Sequence, residues 1–337
     1  MIADYLLDSL RSKGLCFFSY RIPGRKEQYG FASPSKCFRS GHHDGFVIAP
    51  FKPTEERITI PFCYIHSKPT AIGKFEDKDF PEYETAKGFY MKHCGLLIDY
   101  LKENPEEKIV YSRMIKRTLA KTLTESFNEL CRMYPAAYVY CFSTPWTGTW
   151  LGASPELLAK CNGDQLRTMA LAGTMPSHKG GKWSEKNQQE HRVVADFIRN
   201  LLIENNAIDL LEKESQKEAG PVKHLLTEFT ATIHPETNAD SIVESLSPTP
   251  ALAGFPREKA LAKITEHEAY PRGCYGGFCG PRIDRQNFEY WVILRCVRLR
   301  GKECAQYVGG GIMPDSIAED EWQETEKKAS TLSSILD

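Results

Sequence analysis

"FEYWVILRCVRLR", residues 288–300, reads as a single extended segment. One face carries Trp291, Ile293, Arg295, Val297 and Leu299, and the other Tyr290, Val292, Leu294, Cys296 and Arg298. Apolar residues on both faces predict a strand buried on both sides, the inner strand of a layered core. Arg295 then occupies an apolar register. A guanidinium there stays charged and must meet an anion, either an internal glutamate or a bound carboxylate. "CYGGFCG" (274–280) before it and "CAQYVGG" (304–310) after it read as two more late strands.

Outward from this point the chain mixes strand clusters with helices. Residues 1–80 are rich in Phe, Tyr, Gly, Pro and Ser around short apolar pieces such as "FVIAPF" and "ITIPFCYI", and read as strands and turns. "AKGFYMKHCGLLIDYLKE" reads as a helix stopped near Pro105, and "KIVYSRM" as a strand. "RTLAKTLTESFNELCRMY" repeats Leu119, Leu123, Phe127 and Leu130 at helical spacing. "AAYVYCFS", "LLAKC" and "LRTMALAG" read as strands. A long amphipathic helix is expected at about 184–204 and another within 205–233. "PREKALAKITEHE" predicts a helix with Pro256 near its first turn, and a last helix begins near Glu319. Without regular strand–helix–strand alternation, the order predicts an α+β layered domain rather than a doubly wound one. No repeat or polar linker marks a boundary.

Composition narrows the function classes. The chain has 337 residues, with 43 basic and 44 acidic side chains, so no basic surplus favours nucleic acid or an anionic membrane. No apolar run approaches a membrane span. The start, "MIADYLLDSLRSKG", lacks a cleavage pattern and does not read as a signal peptide. Eleven scattered cysteines without a CxxC pair predict reduced thiols in a cytoplasmic protein.

Several residues stand where their chemistry is expensive. Glu190 precedes Val193 and Val194 by three and four positions, which puts a carboxylate on the inward helix face. It reads either as a group needing a partner or metal, or as a first-turn glutamate stabilising the helix N-terminus. Glu321, Glu324 and Lys328 form a row beside the apolar line Trp322, Ala329, Leu332 and Leu336. That row reads as a solvated face with a Glu324–Lys328 pair, unless something draws it inward. Lys108 opens a strand and shares a face with Val110, Ser112 and Met114, as an exposed strand-end lysine or a desolvated general base. Glu156 follows "GASP" as a surface carboxylate or a positioned acid. Gly309, Gly310 and Gly311 lack the context of a phosphate-binding loop or a dinucleotide fingerprint, but let a backbone approach a small anion.

Together these segments resemble the chorismate-utilising enzymes: anthranilate synthase large subunits, aminodeoxychorismate synthases, isochorismate synthases and salicylate synthases. The matching pieces are "KIVYSR", "LGASPELL", "LAGT", "EKNQQEH", "SPTPALAGFPREKA", "YGGFCG", "ILRC" and "YVGGGIMPDSIAEDEWQETEKKAS". They span about 108–330 in the family's order. The first hundred residues carry little resemblance and look shorter than the usual N-terminal half. The resemblance implies one α+β domain of two large, mostly antiparallel sheets with helices outside and the site between them. It implies Mg²⁺ held by Glu190 and Glu324, with Glu321 a further candidate, facing the ring carboxylate of chorismate. It implies substrate contacts from Ala172, Gly173, Thr174, His224, Arg295, Tyr307, Gly309, Gly310, Gly311 and Lys328.

The nucleophile sorts the family members. Aminodeoxychorismate synthases commonly carry a lysine within P-I-K-G-T that attacks the ring covalently. Ala172 stands at that place in Ala170–Thr174, so no covalent nucleophile is expected. Members that use water carry a lysine matching Lys108. The resemblance therefore implies isochorismate synthesis. Lys108 takes a proton from water, the hydroxide equivalent attacks carbon 2, and protonated Glu156 donates to the departing carbon-4 hydroxyl. A salicylate synthase, which goes on to eliminate pyruvate, is the main alternative. An aminating subunit with a glutaminase partner and a non-catalytic chorismate-binding protein are the others. The expected protein is a monomer without a glutaminase subunit, supplying menaquinone synthesis.

Overall fold

The structure, a computed structural model, describes residues 1–62, 77, 80–178, 180, 182–220, 222–234 and 236–337. Among these, two antiparallel sheets dominate. One has eight strands, in the order Gly254–Phe255, Lys108–Thr118, Glu303–Ile312, Cys296–Arg300, Gly148–Ser154, Tyr138–Thr144, Cys16–Arg21, Gln28–Ala32. The other has nine, in the order Ile208–Ala219, Val222–Thr232, Gln165–Pro176, Leu157–Asn162, Asn287–Val292, Phe278–Asp284, Gly45–Ala49, Ile58–Ile60, Phe38–Arg39. The α+β expectation with two mostly antiparallel sheets is met. The N-terminal sixty residues supply strands to both sheets, so they complete the layers.

The aromatic core between the sheets draws on both, with Phe18, Tyr138, Tyr140 and Trp150 from one and Phe46 and Trp291 from the other. Helices cover the outer faces. Ser184 caps the helix Glu185–Glu204 by accepting from the Asn187 amide. Its Val194, Ile198 and Leu202 pack on Ala170, Ala172 and Phe229 of the nine-stranded sheet. Each such fully buried side chain contributes ~1.5–3 kcal/mol. The helix Leu123–Met133 covers the other sheet through Leu123, Phe127 and Leu130. No helix of the described residues is long and apolar enough to cross a membrane.

Four expectations change. The expected helix within 205–233 is instead the antiparallel hairpin Ile208–Ala219 and Val222–Thr232, pairing Lys217 with His224 and Ala219 with Val222. Its second strand, VKHLLTEFTAT, alternates buried and less buried positions and is rich in threonine, which suits a pleated surface. The helix expected from Arg117 begins at Leu123, because Thr122 and Glu125 form a capping box there; residues 117 and 118 finish a strand. Residues 6–12, read as strand or turn, form a short helix that buries Leu7 and Leu10. The last helix ends at Ala329, and Leu336 instead bridges to Leu119. Residues 63–65 of "ITIPFCYI" lie outside the described residues.

The decisive correction concerns residues 288–300. They form two strands in different sheets, Asn287–Val292 and Cys296–Arg300, and the chain crosses between sheets through Ile293–Arg295. Arg295 lies at the crossing with φ 46, so it is not in a strand register at all. The partner segment crosses beside it: Gly148–Ser154 belongs to the eight-stranded sheet, Leu157–Asn162 to the nine-stranded one, and Pro155–Glu156 joins them. The crossings are tied together. Val292 N donates to Glu156 O (3.0 Å) and Ala153 N to Arg295 O (3.1 Å). Gly152 allows the approach, since a Cβ there would stand 2.8 Å from Arg295 O.

Candidate active site

The strand Glu303–Ile312 pairs along one edge with Lys108–Thr118, setting Gly309, Gly310 and Gly311 opposite Ser112, Tyr111 and Val110. Along its other edge, pairing with Cys296–Arg300 stops at Tyr307. The glycine run thus borders a cavity of about 70 Å³ between the sheets. Two of the glycines are there for the side chains above them. A Cβ on Gly311 would stand 2.2 Å from Glu190 Oε1 and 2.9 Å from Lys108 Cε. One on Gly310 would stand 3.1 Å from Glu321 Oε2 and 3.4 Å from Glu324 Oε1.

Lys108 is fully buried, which removes the exposed strand-end reading. Its Nζ lies 3.2 Å from Glu190 Oε1, an ion pair without hydrogen-bond alignment. Burial lowers the lysine pKa from its ordinary value, with Glu190 opposing and Lys328 adding to the fall. Glu190 is drawn inward as its helix position predicted. Glu190 lines the cavity and Lys108 does not, so the carboxylate stands between the lysine and the open space.

The acidic row is also drawn inward. Glu321 is buried and pairs with Lys186. Burial pushes its carboxyl up to about 7, against the pull of Lys186 and with Glu324 adding to the rise. Among the described residues, Glu321 Oε2 has no hydrogen-bond partner. Glu324 pairs with Lys328 at 2.7 Å, and Lys328 Nζ also donates to Gly309 O at 2.8 Å. Burial pushes the Glu324 carboxyl up, but Lys328 and Lys186 outweigh it and hold it below the ordinary range. Glu321 and Glu324 thus stand over Gly310 and Glu190 over the adjacent Gly311, each beside a lysine, although no three of the described carboxylates are grouped closely enough to hold a metal as they stand. A hard divalent cation suits such oxygen donors, and the unpartnered Glu321 Oε2 beside Glu324 fits that use.

Glu156 faces the same cavity from the crossing between sheets. It is 2% exposed, and its Oε1 has no hydrogen-bond partner among the described residues. Burial pushes its carboxyl up to about 8, with Lys108 and Lys217 opposing. Arg295, from the neighbouring crossing, donates to Thr331 Oγ1 (2.7 Å) and to His224 Nε2 (3.2 Å), and forms no ion pair with a described carboxylate. The internal-glutamate reading of Arg295 therefore falls. His224 Nδ1 donates to Gly173 O at 3.0 Å, which leaves Nε2 as the acceptor facing Arg295. Burial and Arg295 keep His224 neutral, with its pKa pulled down to about 3. A bulge at Gly173 (φ 71) turns Ala172 and Thr174 to the cavity wall. Asn187 clamps the bulge by donating to Thr174 O at 3.2 Å. Tyr307 completes the wall, stacked between Trp150 and Tyr275.

A family model described as chorismate binding enzyme matches residues 65–337. The chain belongs to that family. Isochorismate synthase EntC of Escherichia coli is 31% identical over 243 residues, covering 68% of this chain and 62% of that protein, so the chain spans less than two thirds of that relative's length. The structure of MenF, the menaquinone-specific isochorismate synthase from Escherichia coli, aligns with a TM-score of 0.79 at 23% identity, over 98% of this chain and 91% of that one. Anthranilate synthase component I from Streptococcus pneumoniae aligns with a TM-score of 0.68 at 18% identity, over 94% and 90%. The last two show the shared fold.

In this chorismate-binding enzyme the predicted site residues do converge. Glu156, Ala172, Gly173, Thr174, Glu190, His224, Arg295, Tyr307, Gly309, Gly310, Gly311 and Lys328 all line one cavity. Lys108, Glu321 and Glu324 stand directly behind its glycine wall. Sequence reading missed Lys186, Thr331 and Lys217. Lys186 had a signal: it precedes Glu190 by four positions and so shares its helix face. Thr331 and Lys217 had none, because each meets the site through a partner far along the chain.

Proposed function

We propose that this chain is an isochorismate synthase, converting chorismate to isochorismate by adding water at carbon 2 with loss of the carbon-4 hydroxyl. One observation carries the reading. A buried carboxyl with a raised pKa lines the cavity, a fully buried lysine with a lowered pKa stands behind Glu190 at its edge, and Ala172 in its wall offers no nucleophile. That is an acid–base pair tuned in opposite directions by a shared apolar setting. The similarity to EntC supports the same reading.

In this reading Lys108, neutral, takes the proton from the attacking water. Glu156, protonated, gives its proton to the leaving hydroxyl while the ring double bonds shift. Atoms balance, since one hydroxyl enters and one leaves. Glu190 stands between Lys108 and the cavity, so Lys108 reaches the ring only when Glu190 has turned from it. The cavity is smaller than the ~300 Å³ at which ligand pockets usually begin, so its walls open to admit the substrate. Arg295 and the amides along Gly309–Gly311 offer donors for substrate carboxylates. Mg²⁺ suits Glu190, Glu324 and Glu321; bound there, it would neutralise the ring carboxylate and stabilise charge that builds on it. We place the product in menaquinone supply, a role for which the 34% identity over 200 residues to isochorismate synthase MenF of Escherichia coli is the support.

The test is a product assay with chorismate and Mg²⁺ and no amine donor. Isochorismate alone is expected. Salicylate with pyruvate makes the chain a salicylate synthase, and product only on adding ammonia overturns the assignment of water as nucleophile.

A further inference from the structure

Lys217 lies on the edge strand Ile208–Ala219, whose side chains are mostly exposed, yet its own is half-buried. It pairs across the hairpin with His224, so both side chains project from the same face of the sheet, the one that meets the cavity. Lys217 Nζ donates to Pro155 O at 2.6 Å. Pro155 is the first residue of the crossing that carries Glu156; the backbone of Glu156 is held by Ser154 Oγ and by the Val292 amide, but its carboxyl Oε1 has no hydrogen-bond partner among the described residues. Lys217 also borders a second cavity of about 230 Å³, lined by Met133, Tyr134 and Ala137, which shares Pro155 and Arg295 with the reaction cavity. The lysine thus stands at the junction of the two.

We propose that Lys217 is a positioning residue for Glu156, pinning the crossing turn through the Pro155 carbonyl and fixing a positive charge behind the acid. The proposal rests on the reading of Glu156 as the proton donor. The charged groups acting on Glu156 are Lys108 from the strand Lys108–Thr118 and Lys217 from the hairpin. Arg295 and Glu190 line the same cavity. Those acting on Lys217 are Glu156 and the exposed Glu228 of the strand Val222–Thr232. Lys217 opposes the rise of the Glu156 pKa. Removing its charge therefore lets that pKa climb further, and the alkaline limb of activity moves up with it.

The experiment measures kcat, KM for chorismate and the pH profile of isochorismate formation for the wild type and for Lys217→Met, Lys217→Arg, Lys217→Gln and Glu156→Gln. Circular dichroism checks the fold of each. Lys217→Met is expected to lose ~10–100-fold in kcat, the worth of one hydrogen bond to a charged donor, with KM changed less than about twofold. Its alkaline limb should shift upward by ~0.5 unit or more. Lys217→Arg should restore both. Lys217→Gln, able to donate without charge, should recover kcat and keep the shifted limb. A Lys217→Met profile that superposes on the wild type, with Glu156→Gln inactive, overturns this proposal and leaves the acid assignment standing. A Glu156→Gln enzyme that retains activity overturns the acid assignment and this proposal with it.

Discussion

Lys108 Nζ and Glu190 Oε1 lie 3.2 Å apart, directly above Gly311. The glycine is the floor of that ion pair. In Gly311→Ala the new Cβ would stand 2.2 Å from Glu190 Oε1, and the free end of the glutamate can swing away from it. The backbone at 311 is extended within its strand and accepts alanine, so melting temperature should change little. The carboxylate would nevertheless lose its place, and activity should fall at least ~10-fold, as expected when a group is displaced by about an ångström. Paired melting and turnover measurements on this variant check the split; unchanged turnover would remove the glycine from the site's architecture.

Lys108→Ala removes the proposed base. Turnover should fall by ~10²–10⁴, the usual worth of a positioned general base, while Mg²⁺-dependent chorismate binding stays measurable by calorimetry. Retained hydration in this variant would assign the base elsewhere.

Glu156 predicts both an activity and a stability profile. Its folded pKa of about 8 lies above the ordinary carboxyl value, so between the two the folded state holds a proton that the unfolded chain has lost. The contribution to stability is fully present below the unfolded pKa and fades as pH rises toward 8. Thermal melts from pH 5 to 8.5 should show that decline in the wild type and a shallower one in Glu156→Gln. The same substitution should cost ~10²–10⁴ in kcat. Parallel melting curves for the two proteins would contradict a buried, proton-holding Glu156.

Glu324→Gln keeps the shape of the side chain and removes its charge. The Mg²⁺ concentration needed for half-maximal activity should rise at least ~10-fold, with Lys328 still free to donate to Gly309 O. A metal titration that matches the wild type would take Glu324 out of the proposed ligand set.

Arg295→Lys replaces a planar fork with a point charge. The variant should raise KM for chorismate by ~10-fold or more and lower kcat less, as expected of a residue that binds a substrate carboxylate. An unchanged KM would leave Arg295 as a structural pin between His224 and Thr331.

Much of this site was legible in the chain before any fold was known. The helix Glu185–Glu204, the last helix and the strand opening at Lys108 follow from periodicity and capping, which are local properties. Glu190 on an inward face and Lys108 at a strand start follow from the same spacing. Residue types at those places raised the question of buried charge, and family resemblance supplied a common substrate. Local patterns also misled. VKHLLTEFTAT reads nearly as well at helical spacing as in alternation, and only its partners on both sides, Gln165–Pro176 and Ile208–Ala219, make it a strand. Residues 288–300 are apolar throughout, so nothing within them marks where one sheet ends and the other begins. That point is set by Gly152, by the Ala153 and Val292 amides, and by two sheets packing at a fixed separation. What the sequence by itself determined was therefore which side chains would be costly to bury and which elements carry them. The tertiary structure alone decided that the two crossings lie side by side, setting Glu156 and Arg295 in one cavity, and that Glu190 meets Lys108 and Glu321 meets Lys186; the Glu324–Lys328 pair was already in the local spacing. The Lys108–Glu190 and Lys186–Glu321 pairs join residues far apart in the chain, and only packing brings them within reach.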